Sequence, residues 1–165
     1  MTTRRTTRIA LTVSTTCGRE FAPRLRRLLS AALLHVRTAP RSLSVALVGD
    51  ATMSKLHRQF LGIEGPTDVL SFPLELDSHG RVLDGEVIVC VPHAKRAAIT
   101  RGVDPRDELL LYALHGALHL SGHDDTTPTG FRRMHRTEDR ILRAIGVGPV
   151  FDPAPEPNAR RRRRS

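Results

Sequence analysis

The segment Leu109-Leu-Leu-Tyr-Ala-Leu-His-Gly-Ala-Leu-His-Leu120 constrains this chain more than any other stretch. It is apolar nearly all round at helical spacing, which marks a buried helix. Its start is well marked. Asp104 can be the N-cap, Pro105 suits the first helical position, and Asp107 and Glu108 put negative charge in the first turn. Gly122 can stop it. No apolar run approaches the roughly 18–20 residues of a membrane span. The helix is therefore expected inside a protein core, and 165 residues are enough to build one around it.

The other elements follow from periodicity. Strands are expected over 8–14, 43–48, 67–73 (extending toward Leu76) and 85–91. Phe21, Leu25, Leu28, Leu29, Ala32, Leu33 and Val36 make a helical stripe over 20–36. Asp50 can cap a short helix near 51–61. Pro92 opens a helix that ends at Gly102, and a last helix spans 128–145. Asp77-Ser-His-Gly80 is a turn, so the third and fourth strands form a hairpin. The expected fold class is α+β: a small mixed four-stranded sheet packed with about five helices. Residues 8–148 make the single domain, residues 1–7 a flexible basic N-terminus, and residues 149–165 a disordered Pro/Arg-rich tail. Cys17 and Cys90 form no CxxC pair, which fits two buried, inert thiols in a reducing cytosol.

The chemistry sits at the end of the buried helix. His115 and His119, four residues apart, share one helix face and can hold one metal ion. Gly122 permits a sharp turn that swings a third ligand back. The spacing H-x3-H-x5-D puts Asp125 in that place, with His123 and Asp124 as rivals. Two imidazoles, one carboxylate and a position left to water form a normal catalytic zinc shell. The remaining histidines, 35, 57, 79, 93 and 135, are scattered and expected on the surface or in loops. A zinc peptidase with this spacing would carry Glu directly after the first His as its general base. Here Gly116 stands there, so a peptidase lacks its main catalyst.

His115-Gly-Ala-Leu-His-Leu-Ser-Gly-His-Asp-Asp125 resembles the H-G-x-L-H-L-x-G-Y-D-H motif of the YbeY family, bacterial endoribonucleases of rRNA maturation. Pro66-Thr-Asp-Val-Leu-Ser-Phe-Pro73 is similar to that family's P-T-[DN]-V-L-S-F-P. Gly85-Glu-Val-Ile-Val89 and Glu138-Asp-Arg-Ile-Leu142 are similar to its G-D-I-V-I strand and closing helix. The resemblance spans about residues 8–148. It implies a zinc ion on His115, His119 and Asp125, although nickel, cobalt or iron suit the same donors. It further implies cleavage of single-stranded RNA in 16S rRNA 3′-end processing and ribosome quality control. The implied partners are the 16S rRNA precursor and the small subunit or its proteins, in the cytoplasm, with no DNA and no membrane.

Two residues depart from the family pattern. Asp125 replaces the third histidine, which lowers the positive charge of the site. Leu61 stands where the family's L-N-x-x-[YF]-R-G carries an arginine that the resemblance makes catalytic. Arg58, three residues earlier and on a neighbouring helix position, is the candidate to stabilise the charge of a phosphodiester transition state. Leu61 favours a second reading, a non-catalytic ribosome-assembly or RNA-binding factor that keeps the metal for structure.

The net charge of +9 is concentrated at the ends. Setting aside Arg4, Arg5, Arg8 and Arg160 to Arg164 leaves 18 basic residues against 17 acidic ones. The expectation is a nearly neutral body whose specificity comes from the metal cleft, with the arginine tail adding a salt-sensitive grip on RNA.

Overall fold

The computed structural model describes residues 8–150. The expectations for residues 1–7 and for the five-arginine run therefore lie outside the described residues. Four strands, β1 (Ala10–Thr15), β2 (Ser42–Val48), β3 (Val69–Leu76) and β4 (Val82–Cys90), form one sheet in the order β1-β2-β4-β3. The β1/β2 and β2/β4 pairs are parallel, and the β3/β4 hairpin is antiparallel. Five helices complete the body: α1 (Ala22–Leu33), α2 (Asp50–Leu61), α3 (Val91–Arg101), α4 (Pro105–Leu120) and α5 (Pro128–Ala144). The α+β class and the mixed four-stranded sheet are as expected. No helix among the described residues is long and apolar enough to cross a membrane.

Alternation along the strands sorts the core into two layers. Leu43, Val45 and Leu47 of β2, with Val87 and Val89 of β4, pack against α1 and α4. Val48, Ile88 and Cys90 point to the opposite face, where Met53 of α2 covers them. The long apolar helix α4 lies between the sheet and helices α1, α3 and α5, and eleven of its sixteen residues are buried. Two glycines let it lie close to the sheet. A Cβ on Gly116 would come 2.7 Å from Val87 Cγ1 and 3.0 Å from Ser71 Oγ. A Cβ on Gly85 of β4 would come 2.7 Å from Leu120 Cδ1.

Local departures from the sequence reading have physical causes. Asp50 does not cap α2: Gly49 is the N-cap and Asp50 the first helical residue. Its carboxylate is taken by both Arg96 Nη atoms at 2.9 Å and accepts from Cys90 Sγ at 3.3 Å. Arg96 first of all holds the Asp50 pKa below its ordinary value. Helix α1 is shorter than the apolar stripe suggests. A 3-10 turn at Arg19–Phe21 precedes it. Beyond Leu33 the chain closes through i→i+3 bonds from Leu34, His35 and Val36. Cys90 is buried, and burial pushes its thiol up to about 11; Cys17 is only half-buried, against the expectation of two buried thiols. Packing also continues past residue 148. Val150 is buried, and its carbonyl accepts from Arg101, which also donates to the buried Glu108 at 2.8 Å.

Candidate metal centre

The end of α4 is built to return the chain on itself. Gly122 adopts φ +97°, which an L side chain would resist. The N–H of His123 donates to Leu118 O at 3.0 Å and the N–H of Gly122 to His119 O at 3.1 Å. These bonds satisfy the last carbonyls of α4 in a Schellman arrangement. The loop then brings Asp125 back beneath the two histidines before Thr127 caps α5, accepting from Gly130 N at 3.0 Å.

His115 Nε2 and His119 Nε2 lie 3.0 Å apart. Asp125 Oδ2 is 3.3 Å from His115 Nε2, and Asp125 Oδ1 is 3.4 Å from His119 Nε2. Ligand atoms bound to zinc at about 2.0–2.1 Å in a tetrahedron stand about 3.3 Å apart. Two N donors and one carboxylate O, converging from three half-buried side chains, therefore fit a divalent metal ion. The two rival ligands stand apart from this cluster. Both Asp124 oxygens accept from Thr126, one from its backbone N and one from its hydroxyl, each at 2.9 Å. Those bonds also hold the Asp124 pKa down. His123 is kept below its ordinary pKa by burial first, then by His119, Arg133 and Arg140.

Behind the triad sits Glu138 of α5, fully buried. One of its oxygens accepts from His115 Nδ1 at 2.6 Å, the other from His135 Nδ1 at 2.7 Å. A carboxylate can only accept, so Nδ1 of His115 carries the proton and Nε2 is left to face the triad. Neither Glu138 nor His135 was read as a site residue from sequence. His135 is not a loose surface histidine. Its ring stacks near-parallel to that of His115, with centroids 6.3 Å apart, and meets Phe131 edge-on. A signal for Glu138 was available: it occupies a core position of the α5 stripe Met134, Glu138, Ile141, Leu142, where a lone charge needs a partner. His57 is also buried, with Nδ1 2.8 Å from Gly65 O, again unlike a surface residue.

The other sequence candidates fall outside the triad. Arg58, in the last turn of α2, is exposed and pairs with the equally exposed Glu64 at 3.3 Å. No hydrogen bond or ion pair joins it to His115, His119, Asp125 or Glu138 among the described residues. Leu61 ends α2, exposed. Within the Pro66–Pro73 motif, Thr67 donates to Asp68, and Ser71 Oγ donates to Gly116 O at 3.2 Å.

A family model described as Endoribonuclease YbeY matches residues 12–146. The chain belongs to the endoribonuclease YbeY family. An Endoribonuclease YbeY of Moorella thermoacetica is 37% identical over 140 residues, covering 79% of this chain and 90% of that protein. The one from Cutibacterium acnes is 40% identical over 121 residues, 68% of this chain and 78% of its own length. The Rhodopirellula baltica relative is 39% identical over 108 residues, and the match spans only 55% of that longer protein. Among solved structures, TM1509 from Thermotoga maritima superposes with a TM-score of 0.58 at 25% identity, over 88% of this chain and 98% of that one.

The electrostatics of His115 in the metal-free protein make a pH prediction. Burial disfavours its imidazolium, but the hydrogen bond and charge of Glu138, then Asp125 and Asp68, outweigh burial and raise its pKa above 6.5. A raised folded pKa contributes stability that is full below the unfolded value near 6.5 and is lost as pH rises through the raised value. Urea titration of metal-free protein should thus show this contribution falling above pH 6.5. A His115→Gln variant should lack that part of the pH dependence. Metal requires neutral His115, so metal affinity should change in the opposite sense, weakening as pH falls through the same range.

Proposed function

We propose that this protein is a metal-dependent endoribonuclease that cleaves single-stranded RNA, acting on the 16S rRNA precursor in 3′-end processing and ribosome quality control. The observation that carries the reading is the triad His115, His119 and Asp125, braced by Glu138, in a chain of the YbeY family. These three residues would hold one zinc ion. Bound there, the ion supplies Lewis acidity to a phosphoryl oxygen or a water. The chain's own contributions are positional. Glu138 fixes the tautomer and plane of His115, Asp125 offers its carboxylate across from both imidazoles, and the Schellman turn at Gly122 sets the distance between them. The partners are the rRNA precursor and the small ribosomal subunit or its proteins, and the compartment is the cytoplasm.

Gly116 argues against a peptidase more strongly than its missing carboxylate does. Its Cα faces Val87 and Ser71, so no side chain fits where a peptidase would place its base. Leu61 favours one other reading, an assembly factor with a structural metal. The two part on cleavage: metal-loaded protein should cut single-stranded pre-16S RNA, and a His115→Ala variant should not. An RNA-binding protein that never cleaves, yet loses thermal stability on chelation, would support the assembly factor.

Arg58 is assigned the transition-state charge. Its exposed pairing with Glu64 is of the kind that holds a guanidinium only weakly. Arg58→Ala should lower kcat about 10-fold or more while metal affinity stays unchanged. Equal cleavage by the variant removes Arg58 from the reaction.

A further inference from the structure

Helix α5 concentrates charge in a way that the near-neutral body does not suggest. It carries Arg132, Arg133, Arg136, Arg140 and Arg143, all exposed. At about 100° per residue, these five fall within an arc of about 100°. Met134, Glu138, Ile141 and Leu142 occupy the opposite, buried side. Of the two acids in the helix, Glu138 is enclosed in the core and Asp139 is half-buried. None of the five guanidiniums forms an ion pair with a carboxylate among the described residues. The stripe is about 16 Å long. At its start Arg133 lines a cavity of about 380 Å³ with His123, Asp124 and Thr129, on the loop that joins His119 to Asp125.

We propose that the solvent face of α5 is a track for the phosphate backbone of single-stranded RNA, leading past Arg133 to the cavity lined by His123 and Asp124, in the loop between the ligands His119 and Asp125. That the polyanion is RNA rests on the functional reading above; the track itself rests on the charge of α5. Five guanidiniums in one stripe, none in an ion pair with a carboxylate among the described residues, complement a chain of phosphates. A lipid surface is the poorer match, because a helix that binds one needs a free apolar face. The apolar face of α5 is spent on the core, with Phe131 the only large apolar residue of the helix left exposed.

The test is binding of the full chain to a 2′-O-methyl oligoribonucleotide of about 20 nucleotides, followed by fluorescence anisotropy over a salt series. A variant R132Q/R136Q/R140Q/R143Q is compared with R19Q/R27Q/R37Q/R41Q, which removes the same charge from exposed positions elsewhere. The α5 variant should bind roughly 10- to 100-fold more weakly near 0.1 M salt, with its salt slope reduced by about 3. The control variant should stay near wild type, and both should keep wild-type thermal stability and metal affinity. Equal losses in the two variants, or no loss in the α5 variant, would overturn the track. So would tighter binding of wild-type protein to phosphatidylserine vesicles than to the oligonucleotide. If RNA binds along α5 but metal-loaded protein cleaves none, the endoribonuclease reading fails and the track stands. If cleavage proceeds while the α5 variant binds as wild type does, the track alone fails.

Discussion

Replacing Glu138 by Gln should weaken metal binding about 10- to 100-fold, the usual cost of losing a partner that orients a ligating histidine. The carboxylate bridges His115 and His135 at 2.6 and 2.7 Å from a fully buried position. An amide of the same shape keeps the volume but offers only one acceptor. One of the two Nδ1–H groups then meets an NH2 donor, and His115 can rotate or change tautomer. Glu138→Ala should do more, because it also opens a cavity and leaves two imidazole donors without an acceptor, which costs about 1–3 kcal/mol for each buried group. A chelator-competition titration gives the affinity, and urea unfolding of the metal-free variants gives the stability. Gln and wild type with equal affinity would show that His115 is oriented by something other than this carboxylate.

Gly116→Ala should destabilise the protein by about 1–3 kcal/mol, although alanine is the better helix former by about 1 kcal/mol. The new methyl would stand 2.7 Å from Val87 Cγ1 and 3.0 Å from its Cγ2, and Val87 is fully buried in the interior strand β4. It would also press on Ser71 Oγ, which donates to Gly116 O, and so disturb the contact that ties β3 to the metal helix. At this chain length the loss should lower Tm by roughly 2–4 °C per kcal/mol. Gly116→Glu, which would restore a peptidase-like motif, should fail to fold rather than gain peptidase activity. A stable, well-folded Glu variant would show that α4 can stand farther from the sheet than the Gly116–Val87 contact places it.

Much of this architecture was legible because its signals are local. Asp104 accepts from the N–H of Arg106 at 2.8 Å as an N-cap should, and Pro105 opens the helix. Gly122 stops α4 with a positive φ, and H-x3-H-x5-D read from spacing is the cluster the fold brings together. What was not legible depends on contacts between elements. Asp50 has the chemistry of a cap, but Arg96, 46 residues away, takes its carboxylate. Glu138 sits 23 residues from the histidine it orients. Its place in the apolar stripe was visible, but its partners were set by the packing of α5 on α4. In the sequence the arginines of α5 are part of a nearly balanced charge, 18 basic residues against 17 acidic ones outside the two arginine-rich ends. Only the helix phase, with the core taking one side and Glu138 with it, turns them into a single cationic face that Asp139 borders.

The most direct measurement is the rate of single-stranded pre-16S RNA cleavage as metal-free protein is titrated with zinc, alongside His115→Ala and Asp125→Ala. Cleavage should be absent without metal, rise in proportion to added zinc, and saturate at one equivalent per chain. Both variants should stay inactive at that point. Cleavage by metal-free protein, or undiminished cleavage by the His115 variant, would contradict the assignment of the reaction to the triad.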